Sequence, residues 1–153
     1  MAIEKVREYF QKFGMADKIM EFDTSSATVE LAALAVGTEP ARIAKTLSFK
    51  DTEGCILVVT AGDMKIDNAK FKGYFHMKAK MLSPEEVKAL VGHEIGGVCP
   101  FAVGDGVKVY TDISLRRFST VFPAAGSSNS AIELDCEQLF KYSGSLGWID
   151  VCK

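Results

Sequence analysis

Apolar residues recur at helical spacing at the start of the chain. Ile3, Val6, Phe10 and Phe13 fall on one face and Gly14 follows them, so the spacing predicts an amphipathic helix ended by the glycine. Ile19 to Phe22 predicts a short strand. Thr28 is a capping residue for a second helix, with Glu30 in its first turn and Leu31, Leu34 and Ala35 on one side. Gly37 ends that helix, and Thr38-Glu39-Pro40 starts a further helical piece, because proline is tolerated in a first turn.

The pattern then turns extended. Ala44 to Phe49 reads as a strand, Asp51 to Gly54 as a turn, and the β-branched run Cys55 to Ala61 as a buried second strand. Asp67 caps a helix through Phe71 and Phe75, and Lys78 to Leu82 reads as a short strand with alternating lysines. Ser83-Pro84-Glu85-Glu86 combines a capping serine, a first-turn proline and a third-position glutamate, which predicts a capping box and a helix to about Val91. Val107 to Thr111 is the next strand. Val121 to Ala124 and Ala131 to Leu134 predict two strands flanking a Gly126 loop. Asp135 caps a last helix, and Trp148 to Val151 closes the chain as a strand. About six strands and five helical pieces in mixed order argue against strict βαβ alternation. The expected fold is α+β, a curved mixed sheet with helices outside.

The 153 residues fit one domain (1–153), with 48% hydrophobic and 25% charged residues. Net charge is −2, from 18 basic and 20 acidic side chains. That balance excludes holding duplex nucleic acid by bulk charge, although a small basic rim remains compatible with it. Cys55, Cys99, Cys136 and Cys152 contain no C-x-x-C pair, and His76 and His93 complete no zinc spacing. The cysteines read as reduced packing thiols, with no metal expected. The N-terminal stretch has charges every few residues and no apolar core, and no run is long enough to span a membrane. The expected location is cytoplasmic.

Standard catalytic motifs are missing: there is no G-x-S-x-G, no G-x-x-x-x-G-K-[ST] and no H-E-x-x-H. Cys99 near His93 offers a thiol dyad. Two segments stand out beyond these. Lys45 lies at the start of an apolar strand in Arg42-Ile43-Ala44-Lys45-Thr46, where an edge lysine is also an ordinary surface feature. Gly92 to Pro100 packs three glycines and a proline into nine residues. Such a turn either sets a bend or brings bare main-chain N–H groups to a ligand as an oxyanion cradle.

Together these segments resemble the YbaK/EbsC family, which includes the editing domain of bacterial prolyl-tRNA synthetases and its free-standing relatives. The resemblance rests on Ala44-Lys45-Thr46-Leu47, on the G-x-x-x-G-G-x-x-P turn from Gly92 to Pro100, and on Ala27 to Ala33. It continues through Phe122 to Leu134, with Ile132-Glu133-Leu134 as the family's I-E-L strand. The chain departs from the cysteine-editing branch at Ala124 and Ala131, where that branch carries serine and aspartate.

The resemblance implies a closed or nearly closed mixed barrel with flanking helices. It implies hydrolysis of the ester joining an amino acid to the tRNA 3′ adenosine, on tRNA-Pro carrying cysteine, alanine or another small residue, without a cofactor. On that basis the N–H of Gly96, with Gly97 adjacent, is the expected oxyanion donor, and Lys45 positions the ester or the terminal adenosine. Thr46 is a second contact. Phe22, Thr28, Cys99, Pro100 and Gly126 are the expected substrate-binding residues. Arg42, Lys50, Arg116 and Arg117, with Lys70 and Lys72, are candidates for tRNA phosphates. The expected partners are the aminoacyl-tRNA acceptor end and a delivering prolyl-tRNA synthetase. Two alternatives stay open: a non-catalytic tRNA- or synthetase-binding module, and a thiol enzyme built on Cys99.

Overall fold

The computed structural model describes residues 2–94 and 96–153. The N-terminal apolar stripe forms helix α1 (Ala2–Gln11), which buries Val6 and Phe10 completely. Strand β1 (Met20–Glu21) follows. Thr28 caps helix α2 (Val29–Val36) by accepting the Leu31 N–H at 3.2 Å, and Gly37 closes it in the left-handed region. The Pro40 start gives a single 3-10 turn, Pro40–Arg42, which leads directly into strand β2 (Ile43–Asp51).

β2 turns back into β3 (Gly54–Ala61) and pairs antiparallel with it from Ala44↔Ala61 to Asp51↔Gly54. Helix α3 (Asn68–Phe75) starts on the Asp67 cap. Helix α4 (Pro84–Leu90) has the predicted capping box: Ser83 Oγ accepts the Glu86 N–H at 3.2 Å and the Glu86 carboxylate accepts the Ser83 N–H at 2.9 Å. The remaining elements are β4 (Val107–Asp112), β5 (Thr120–Pro123), β6 (Ser130–Ala131), β7 (Leu134–Asp135), α5 (Cys136–Ser143) and β8 (Trp148–Ile149).

Six strands form one mixed sheet in the order β7-β5-β2-β3-β4-β8, curled into a half-barrel with the helices around it. β3 sits near the middle and is buried on both faces, as its unbroken apolar run requires. Leu57 and Val59 face a core completed by Phe10, Val87 and Leu139. Ile56 and Val58 face a second core around Phe71 and Val151. No helix among the described residues is long and apolar enough to cross a membrane.

Two predicted strands differ. Lys78 to Leu82 makes only one isolated bridge, Phe49↔Met81, because Ser83 already caps the next helix. Ala131 to Leu134 divides into two pairings with different partners. Ala131 pairs with Met20 in β1, whereas Leu134 pairs with Val121 in β5. Between them the Ile132 N–H donates to the Pro123 carbonyl at 3.0 Å, where the chain changes partner.

Candidate active site

Ile43, Ala44, Lys45 and Thr46 are consecutive in β2, and all four line one cavity of about 160 Å³. Side chains alternate along a strand, so four consecutive residues meet one cavity only where it wraps the strand's edge. The sheet leaves that edge open. β5 covers β2 only at Ile43 and Ala44, opposite Phe122 and Pro123. The other walls come from Ser26 to Val29 and Ala32 at the start of α2, from Gly96 and Val98, and from Phe122, Ala124, Ser130 and Ala131.

Lys45 and Gly96 therefore share one hollow, although about fifty positions separate them. The Lys45 side chain is half-buried and its Nζ donates to the Met64 carbonyl. Burial lowers its pKa below the usual lysine value, partly offset by nearby negative groups that include Asp63 and Glu30. Asp63 is itself held by Arg117, which reaches its two carboxylate oxygens at 2.6 and 3.1 Å. Thr46 also lines the cavity, and its Oγ1 is buried with no hydrogen-bond partner among the described residues.

The glycine turn divides its work. Gly96 has φ +93° and lines the cavity; a Cβ there would stand 3.3 Å from the Ala27 methyl group. Gly97 lies outside the lining. Its N–H donates to the Glu94 carbonyl at 3.0 Å, and a Cβ there would sit 2.8 Å from the Ser127 main chain. Gly97 is thus the place where the turn packs on the 126–130 loop. Ile95, in the same turn, lies outside the described residues.

The other expected binding residues scatter. Thr28 lines the cavity, its hydroxyl engaged as the α2 cap. Phe22 is absent from the lining; its N–H donates to the Asn129 carbonyl at 2.8 Å and its carbonyl accepts the Asn129 side-chain amide at 3.0 Å. Gly126 packs on α1, where a Cβ would meet the Ala2 carbonyl at 2.9 Å. Pro100 is buried away from the cavity. Cys99 is fully buried, with Sγ 3.4 Å from His93 Nε2, and burial pushes its thiol up to about 12. A nucleophilic thiol needs the opposite shift and access to solvent.

Sequence reasoning missed Ser26 and Ser130. Both are buried, and both line the cavity. Ser26 gives its N–H (2.6 Å) and hydroxyl (3.2 Å) to the Ser128 carbonyl, and Ser130 Oγ accepts from Ser127 Oγ at 2.7 Å. The polar cluster from Asp23 to Ser26 was the only local signal for this clasp.

A family model for the aminoacyl-tRNA editing domain matches residues 23–142, a span that contains every lining residue of the cavity. The chain belongs to the aminoacyl-tRNA editing domain family. It is 53% identical over 154 residues to the uncharacterized protein YwhH of Bacillus subtilis, covering 100% of this chain and 98% of that one. It is 32% identical over 90 residues to the proline–tRNA ligase of Thermotoga maritima, a match on 58% of this chain and 15% of the ligase. A solved structure of a candidate trans-editing enzyme for prolyl tRNA synthetase superimposes with TM-score 0.89 at 27% identity, over 99% of this editing domain and 97% of that chain. The curved mixed sheet expected from the sequence is the fold this chain shares with that structure.

Four of the editing domain's other basic candidates are engaged at the surface. Arg42 donates to the Thr120 carbonyl at 3.1 Å, approaches Glu133 at 3.6 Å and covers the Phe122 ring. Lys50 lies 3.6 Å from Glu86, Lys70 lies 3.0 Å from Asp150, and Arg116 stacks over Trp148. Exposed pairs of this kind hold their partners by at most about 1 kcal/mol, so a phosphate can compete for these groups.

Proposed function

We propose that this editing domain acts in trans to hydrolyse mischarged aminoacyl-tRNA, with tRNA-Pro carrying cysteine, alanine or another small amino acid as substrate. The observation that carries the reading is the single cavity shared by Lys45 and Gly96 inside an aminoacyl-tRNA editing domain. Water adds to the ester carbonyl carbon, the bond to the ribose oxygen breaks, and that oxygen leaves as a hydroxyl. Charge builds on the carbonyl oxygen in between, and the Gly96 N–H is the donor assigned to it, a role worth about 2.7–4 kcal/mol. Lys45 holds the ester or the terminal adenosine with its remaining donors. No cavity-lining side chain is assigned as a general base, so the proton acceptor is drawn from the substrate or a held water.

Size supports a small side chain. A cavity of about 150 Å³ takes a benzene-sized group, and the 160 Å³ here must also admit the ester. Arg42, Lys50, Arg116 and Arg117 are the proposed contacts for the acceptor end, with a prolyl-tRNA synthetase as delivering partner. The test compares wild type with Lys45→Ala on cysteinyl-, alanyl- and seryl-tRNA-Pro. Loss of hydrolysis in a folded variant is expected, and equal rates refute the assignment.

One observation favours a second reading. Ala124 and Ala131 both line the cavity, giving methyl groups where the cysteine-editing branch carries a hydroxyl and a carboxylate. A non-catalytic module that binds the acceptor end without turnover fits such a wall. A deacylation time course separates the two.

A further inference from the structure

The open edge of β2 has a polarity that can be read from the sheet. Ser48 accepts the Leu82 N–H at 3.2 Å, and Lys50 gives its N–H to the Lys80 carbonyl at 2.8 Å. Both groups point away from β3. Main-chain direction repeats every second residue in an antiparallel pair, so Thr46, two residues earlier, also points its N–H and C=O away from β3. On that side β5 stops at Ala44 and the 80–82 segment begins at Ser48. Among the described residues no strand pairing covers Thr46 there, and the cavity lies against it.

An α-aminoacyl ester carries one N–H donor group and one C=O on either side of a single carbon, the same spacing as one strand residue. We infer that the aminoacyl group is bound as a one-residue strand on the Thr46 edge, its α-ammonium donating to the Thr46 carbonyl and its ester carbonyl accepting the Thr46 N–H. This rests on the deacylase reading for its substrate and adds a second main-chain donor beside Gly96.

The pairing fixes handedness. Residues opposite each other in such a pair send side chains to the same face. The Thr46 face is that of Ala44, Leu57 and Val59, where Val98 and Ala124 also pack. An L side chain enters that small apolar corner. A D side chain turns to the opposite face, toward Lys45, and a des-amino acyl group loses the ammonium bond. The site therefore selects L-α-aminoacyl groups by backbone geometry, whatever side chain it admits.

The test uses RNA minihelices ending in 3′-amino-3′-deoxyadenosine that carries L-alanyl, D-alanyl or propionyl groups as non-hydrolysable amides. Binding to the intact protein is measured by calorimetry, with the Thr46 amide followed by NMR. The L-alanyl form is expected to bind at least tenfold tighter than either other form and to shift the Thr46 amide resonance. Thr46→Val keeps the main chain and should keep the L-over-D ratio. A backbone ester at position 46, which deletes the N–H alone, should weaken L-alanyl binding at least tenfold. Equal binding of the three forms, or none, overturns the inference. L-selective binding without hydrolysis of the matching esters leaves the edge standing and removes the deacylase reading instead.

Discussion

Gly97→Ala tests whether the glycine turn acts through packing as well as through its amides. The added methyl would stand 2.8 Å from both the Cα and the carbonyl carbon of Ser127, whereas ordinary contact begins at 3.4 Å. Both atoms are backbone, so no side-chain rotation relieves the clash, and the loop must retreat by about 0.6 Å. Overpacking of this kind costs about 1–3 kcal/mol, or roughly 3 °C of Tm per kcal/mol in a chain of this size. The displacement does not stay local. Ser127 is tied to Ser130 at 2.7 Å, and its neighbour Ser128 holds Ser26 at 2.6 Å; Ser26 and Ser130 are cavity walls. Since a shift of about 1 Å can cost 10²-fold in rate, deacylation is expected to fall about tenfold or more. Thermal unfolding and single-turnover deacylation measure the two effects. Gly73→Ala is the control: it lies mid-helix in α3 with open space around it and should stabilise by about 0.5–1 kcal/mol. A Gly97→Ala protein with wild-type Tm and rate refutes the wedge.

Four further outcomes follow from the same geometry. The ammonium of Lys45 is lost at lower pH than the usual 10.5 because burial disfavours its charge, so enzymic deacylation, corrected for buffer hydrolysis, should decline as pH rises toward that value; a flat profile through it counts against a cationic role. Cys99→Ala removes a buried thiol and should lower stability by about 1 kcal/mol while leaving deacylation within twofold; loss of turnover in the folded variant revives the thiol enzyme. His93 is buried and its pKa is held below 6.5 by that burial. The unfolded chain then takes up the proton first, so the stability His93 contributes is complete above pH 6.5 and falls as pH drops below it; urea titrations of wild type and His93→Gln should differ in slope only in that acid window. Ala124→Ser with Ala131→Asp restores the polar wall of the cysteine-editing branch and should raise selectivity for cysteinyl- over alanyl-tRNA; an unchanged ratio shows that these positions do not set the choice.

Local chemistry made much of the fold legible. Thr28, Asp67, Ser83 and Asp135 each cap the helix they were expected to start, because a side-chain oxygen next to free N–H groups acts within four residues. The β2–β3 hairpin was equally plain, being a short turn between two apolar runs. Lys78–Leu82 and Ala131–Leu134 were less so. Their strand character depends on which distant edge is vacant, and one run finds a single bridge while the other serves two partners.

The site shows the same division. Lys45, Thr46, Thr28 and Gly96 were expected from the family resemblance, since an edge lysine and a glycine turn are ambiguous alone, and the fold brings all four to one cavity. Gly97, Gly126, Cys99 and Pro100 carry equally suggestive chemistry, yet packing places them behind the cavity or against other elements. Ser26 and Ser130 became walls only when the 126–130 loop folded over the start of α2. Short-range hydrogen bonding and periodicity determine elements from the sequence alone. Which strand edge stays open, and which side chains surround it, depends on contacts between segments more than a hundred residues apart, and only the folded chain decides those.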